Sequence, residues 1–198
     1  RTPLTPRWGG WYVTGVSRRF RHMGNRVGQG WIKSLYDQFE TTGYPTLYSD
    51  IVALMVLEHQ THMTNLISRA ARDNSIVDAL VDYLLFTDEA PLPNAIIGTS
   101  GYAEKFSSMG PRDSKGRSLR QLDLKTRLFK FPCSFMIYSP AWDALPAASR
   151  AAIYSRMWTI LSGRETRGTY GRLTPAVRQA IIEILEDTKP EFSKYRGG

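Results

Sequence analysis

Cysteine is almost missing from this chain: its 198 residues hold one, Cys133. A lone cysteine makes no internal disulfide and no Cys-x-x-Cys zinc or redox pair, and the Cys-x-x-Cys-His motif that anchors a haem covalently is missing too. Histidine is scarce, with His22, His59 and His62 the full set. No apolar run approaches the roughly eighteen residues that a membrane span requires; residues 51–57 fall far short. There is no P-loop, no G-x-G-x-x-G after a strand pattern and no G-x-S-x-G elbow, so neither a nucleotide-binding enzyme nor a hydrolase is expected. Internal repeats and low-complexity tracts do not occur. No signal peptide is recognisable, and the chain opens on Arg1 rather than Met, which reads as a processed chain or a piece of a longer one.

Positive charge and aromatic side chains are what the chain has in excess. The net charge is +8 and aromatics make up 12%, with five Trp and ten Tyr. The cations fall into two clusters, Arg18, Arg19, Arg21 and Arg26, and then Arg112, Lys115, Arg117, Arg120, Lys125, Arg127 and Lys130. Neither interleaves with aromatics as a single-strand binding platform does. Solvated loops account for them, and nucleic acid is not an expected partner. The aromatics fill a core, or pack against something flat.

Periodicity predicts a mostly α protein: one domain of five or six helices with an irregular aromatic N-terminal arm. Residues 1–30 form that basic, glycine-punctuated arm, 31–190 the helical domain and 191–198 a polar, disordered tail. A short helix is expected at 31–41, with Trp31, Leu35 and Phe39 on one face. Ser49 or Asp50 caps a long helix to about Arg72. At 100° per residue Met55, Val56, His59, Met63, Leu66, Ile67 and Ala70 share one stripe, with His59 near its centre and His62 on its flank. Further helices are expected at about 76–86, 102–109, 147–162 and from Thr174-Pro175 to just before Pro190. Residues 87–132 are loop-rich, and Cys133 to Tyr138 reads as buried.

Two imidazoles three residues apart on a helix face share a side and could meet one ion. The zinc-protease pattern His-Glu-x-x-His needs a spacing of four, and the di-iron pattern needs Glu-x-x-His twice; both fail here. His59 is left as a hydrogen-bonded core residue or a haem contact. His22 sits in a glycine-flanked loop beside arginines. It is a surface histidine, or else His22 or Met23 ligates a haem iron axially while nearby arginines such as Arg21 pair with propionates. Cys133 has no local base and reads as a buried small residue.

Several strings occur together: Arg7-Trp-Gly-Gly-Trp-Tyr-Val-Thr-Gly15, Arg21-His-Met-Gly-Asn25, Leu57-Glu-His-Gln-Thr-His-Met-Thr-Asn-Leu66, Gly110-Pro-Arg-Asp-Ser-Lys-Gly-Arg-Ser-Leu119, Pro132-Cys-Ser-Phe-Met-Ile-Tyr-Ser139 and Asp143-Ala-Leu-Pro146. As a set they resemble the C-terminal region of a group of poorly characterised bacterial exported proteins related to c-type cytochromes, over nearly all of residues 1–190. The resemblance implies a periplasmic or otherwise exported, non-enzymatic protein that encloses haem c or acts as an accessory subunit in electron transfer. Its cofactor-facing residues would be Trp8, Trp11, Arg21, His22, Met23, His59 and His62, with His22 and His59 the candidate iron ligands. Its partners would be a c-type cytochrome or the subunits of a redox complex. Two features depart from the group: the covalent haem motif is missing, and Thr14-Gly-Val-Ser-Arg-Arg-Phe20 lacks the histidine expected after Thr-Gly. The alternative expectation is a non-catalytic structural subunit of a membrane-associated complex, docking through the basic loops and the aromatic arm.

Overall fold

A computed structural model describes residues 3–15, 22–25, 32–166 and 168–196. About 50% of the chain is helical and no strand forms among the described residues, so the fold is mostly α. Among the described residues, the α-helices seen from end to end are α1 (Ile51–Ala70), α2 (Val77–Leu84), α3 (Tyr102–Ser108), α4 (Pro140–Asp143), α5 (Ala147–Leu161) and α6 (Pro175–Thr188). Short 3-10 turns lie at Leu35–Asp37, Asn74–Ile76, Phe135–Tyr138, Gly168–Arg172 and Pro190–Tyr195. Among the described residues, no helix is long and apolar enough to cross a membrane.

Contacts group the chain into two compact units. Unit 1 takes Arg1–Glu58, Glu89–Met109 and Leu122–Leu128; unit 2 takes His59–Asp88, Gly110–Gln121 and Phe129–Gly198. This is not the expected division into an arm of 1–30 and a helical body of 31–190. The reason lies in the backbone of the arm, whose polar groups need partners once buried. Thr14 pairs in parallel with both Ile32 and Asp50. Its N–H donates to Ser49 O, and Ile51 N–H donates to Thr14 O, both at 2.8 Å.

In unit 1, Asp50 organises the start of α1. Its side chain is buried, yet every lone-pair direction is used: Oδ1 accepts the N–H groups of Val52 and Ala53. Oδ2 accepts the N–H groups of Thr99 and Ser100 and the Ser100 hydroxyl. That many donors allow a carboxylate to leave water. The loop comes close enough that a Cβ on Gly98 would sit 2.7 Å from Asp50 Oδ2. The helix expected at 31–41 reduces, among the described residues, to the turn Leu35–Asp37, and Trp31 lies outside them. Leu35 N–H is bonded to Leu47 O, and Phe39 packs edge-on to Tyr12 and Tyr44. These long-range contacts outweigh a short run of helical spacing.

In unit 2, α2 and α5 pack together and α6 joins α5. Leu80, Leu84, Ile153, Met157, Ile160, Ile181 and Ile184 are fully enclosed and form the core, each such side chain contributing about 2 kcal/mol. Thr174 caps α6 by accepting Val177 N–H, with Pro175 at the first helical position. Gly163, at φ +83°, ends α5. The short helix α4 was not expected, because four residues show no period. Its cap signal, Ser139 followed by Pro140, is nevertheless present. The expected disordered tail is instead the turn Pro190–Tyr195, anchored by Phe192, which is fully buried against Tyr154 and Trp158.

Candidate functional site

The stripe on α1 faces inward as its spacing requires: Met55 and Val56 are buried in unit 1, and His59, Met63, Leu66, Ile67 and Ala70 in unit 2. His59 Nε2 lies 2.7 Å from Ser134 Oγ, which also accepts Met136 N–H at 3.1 Å. Four rings wall the imidazole. Tyr83 stacks parallel at 5.2 Å, with Phe86 at 4.6 Å, Phe129 at 5.6 Å and Phe135 at 6.0 Å. His59 is buried, with Nε2 bonded to a hydroxyl and rings packed around it, the surroundings of a packed core histidine. His62 is exposed and rests on Tyr83 at 4.3 Å. Among the described residues no group of three or more His, Cys, Asp or Glu is arranged to hold a metal ion.

Phe86 carries a strain that the sequence does not announce. It follows α2 in the left-handed region, φ +55°. Phe86 N–H bonds Tyr83 O and Thr87 N–H bonds Asp82 O, a helix-ending motif that favours glycine at this position. A bulky residue there costs about 1 kcal/mol or more. The stack on His59 and the contact with Phe129 at 5.2 Å offset it. The wall of Phe86, Phe129, Phe135 and Ser134 was not singled out from sequence, since Ser134 is 75 residues from His59 and no local spacing links them. Cys133, next to Ser134, is fully buried, and burial pushes its thiol far above the ordinary range, which leaves it without a nucleophile's reactivity.

Unit 1 brings Trp8, Trp11, His22 and Met23 together; Arg21 lies outside the described residues. Residues 22–25 dock on the arm through backbone bonds, Met23 N–H to Arg7 O and Asn25 N–H to Trp11 O. Asn25 is the anchor, and it was missed from sequence. Its amide accepts Val13 N–H at 2.6 Å and donates to Val13 O at 2.9 Å, copying a backbone partner. Trp8 stands edge-on to His22 at 5.2 Å. Its indole N–H donates to Glu58 Oε1, while Arg7 pairs with Glu58 Oε2, both at 2.8 Å. His22 is half-buried, and this burial lowers its pKa, so the ring is neutral at neutral pH.

The His22 Nδ1 atom accepts Gly24 N–H at 3.1 Å. The neutral ring therefore carries its proton on Nε2, by assignment from this hydrogen bond. A Cβ on residue 24 would sit 2.8 Å from Nδ1 and 3.0 Å from Trp11 O, so glycine is required for the imidazole to fold back. An iron ligand must offer a ring lone pair. As held, His22 commits its Nδ1 lone pair to Gly24 N–H and carries its hydrogen on Nε2, while His59 Nε2 is hydrogen-bonded to Ser134 Oγ. Trp11, 61% exposed, and Met23, 41% exposed, fit as surface contacts.

Exposed apolar area is distributed unevenly. Among the described residues every large apolar side chain that stands exposed belongs to unit 1, led by Tyr36 at 69%, Tyr44 at 62% and Trp11 at 61%. The basic stretch 112–130 is less open than its charge suggests. Arg117 pairs with Asp113 and Glu183, Lys115 also pairs with Glu183, and Arg112 donates to Gly116 O. Arg120 lies over the Phe135 ring. Arg18, Arg19 and Arg26 lie outside the described residues. No family model, curated protein or solved structure matches the chain.

Proposed function

We propose that the chain is a non-catalytic, exported accessory subunit of an electron-transfer assembly, which covers a c-type haem borne by a partner polypeptide with exposed apolar side chains of unit 1. The observation that carries this reading is that the large apolar side chains exposed among the described residues all belong to unit 1, which gives that unit the apolar area a partner could cover. The resemblance of Arg7–Gly15 and Arg21–Asn25 to cytochrome-related proteins supplies the class of partner, and these strings carry Trp11 and Met23. Such a haem supplies the one-electron iron couple. This chain's residues would bind and exclude water, Trp11 and Met23 offering apolar contact. The net charge of +8 favours an acidic partner surface. The broader alternative, a structural subunit of a membrane-associated complex, would use the same face. Of the cations in residues 112–130, Lys115 and Arg117 are engaged by Glu183 and Asp113.

Titration with a mono-haem c-type cytochrome, read by quenching of tryptophan fluorescence, tests the proposal. Saturable quenching that weakens in the Trp11→Ser/Met23→Ser variant is expected. A Soret band in the purified chain that shifts on His22→Asn would overturn it, because the chain would then be the haem carrier itself.

A further inference from the structure

Unit 2 holds a buried phenol with the surroundings of a redox centre, independent of any docking by unit 1. Tyr154, on α5, is 1% exposed. Its hydroxyl donates to Glu191 Oε1 at 2.8 Å, and its oxygen accepts the N–H of fully buried Trp142 at 3.1 Å. The indole bond occupies one lone pair and leaves the phenolic proton aimed at the carboxylate. Arg150 lies 3.7 Å from the other Glu191 oxygen. The Tyr154 ring is 5.7 Å from Trp142 and 5.5 Å from Tyr195, which is partly exposed. We propose that Tyr154 is a redox-active tyrosine, with Glu191 as its proton acceptor and Tyr195 as its outlet to the surface.

The oxidant is a strong one-electron acceptor of the high-valent metal class. It takes one electron from Tyr154 and is itself reduced by one. The Tyr154 O–H bond breaks and its proton forms a new O–H bond on Glu191 Oε1. The product is a neutral phenoxyl radical beside a neutral carboxylic acid, so no radical cation is left in the apolar interior. A base within hydrogen-bond reach is what such a transfer requires. An electron from Tyr195, whose own proton goes to solvent, then returns Tyr154 to the phenol as Glu191 gives its proton back.

Tyr170 provides a contrast within the same unit. It too is buried, and donates to Asp82 at 2.6 Å. Its oxygen, however, accepts from Arg156 at 3.0 Å, and the guanidinium lies 5.5 Å from the ring centre. A cation held on the phenol opposes removal of an electron, whereas Tyr154 has a neutral indole in that place.

Flash oxidation of the whole chain by photogenerated tris-bipyridyl ruthenium(III), with the tyrosyl radical read by electron paramagnetic resonance and transient absorption, tests this. In a chain whose exposed phenols Tyr36 and Tyr44 are replaced by Phe, Tyr154→Phe should remove most of the radical and Tyr170→Phe should not. Glu191→Gln should slow radical formation about a hundredfold, the lower end of what a positioned base contributes. Glu191 is 36% exposed at its side chain, so that variant keeps its fold, which circular dichroism checks. An unchanged radical yield in Tyr154→Phe, an equal loss in Tyr170→Phe, or an unchanged rate in Glu191→Gln would overturn the proposal.

Discussion

His22 and His59 answer to different forces. His59 is held by one hydroxyl and four rings, so His59→Ala opens a cavity and deprives Ser134 of a partner. We expect a loss of about 3 kcal/mol, summing cavity and unmet hydrogen bond. A urea melt measures it, with the visible absorption spectrum unchanged. His22 gives a pH response instead. Its pKa is lowered by burial from an ordinary 6.5. Well above 6.5 the ring is neutral in both folded and unfolded chains and contributes no pH dependence. As pH falls below that value the unfolded chain binds the proton first, so stability drops until the folded pKa is passed. Urea midpoints from pH 7.5 to 5 should show this slope in the native chain. The slope should be shallower in His22→Asn, whose Oδ1 takes the place of Nδ1 as acceptor for Gly24. Equal slopes in the two proteins would contradict the assignment.

At the scale of the element, the ends of helices carry more information than their middles. Asp50 serves both as the cap of α1 and as the anchor of the 99–100 loop. Asp50→Ala orphans donors in both places, and a loss of at least about 3 kcal/mol is expected. Thr174→Ala removes a single cap bond on α6 and should cost about 1 kcal/mol; thermal melts of the two variants test this ordering. Phe86, at the end of α2, separates backbone from side chain. Phe86→Ala keeps the strained φ and loses the ring, for about 3 kcal/mol. Phe86→Gly loses the same ring but relaxes the backbone, so it should be roughly 1 kcal/mol more stable than the alanine variant. Were alanine the better tolerated of the two, the strain at φ +55° would not be real.

For the molecule as a whole, the parts read correctly from sequence are those that local rules specify. The stripe on α1, the Thr174-Pro175 opening of α6 and the stop at Gly163 each follow from a period or a cap. What local rules do not specify is how distant segments meet. Phe192 is buried through contacts with α5, and the wall around His59 is assembled from α2 and residues 129–135. The two compact units rest on the same kind of distant pairing, Thr14 with Asp50 among it. Nor does composition reveal which aromatics stay in water. That sorting leads to a prediction for the whole chain. Trp11 and Tyr36 stand 61% and 69% exposed, so their side chains add little to folding. Replacing both with serine should leave stability within about 0.5 kcal/mol, as for most surface changes. It should nevertheless shorten retention on a hydrophobic-interaction column, because the apolar exposure is concentrated in unit 1 and these are two of its largest contributors. If instead the double variant unfolded early, these rings would be part of the core rather than a face for a partner. If its retention stayed the same, the apolar surface that governs association would lie elsewhere.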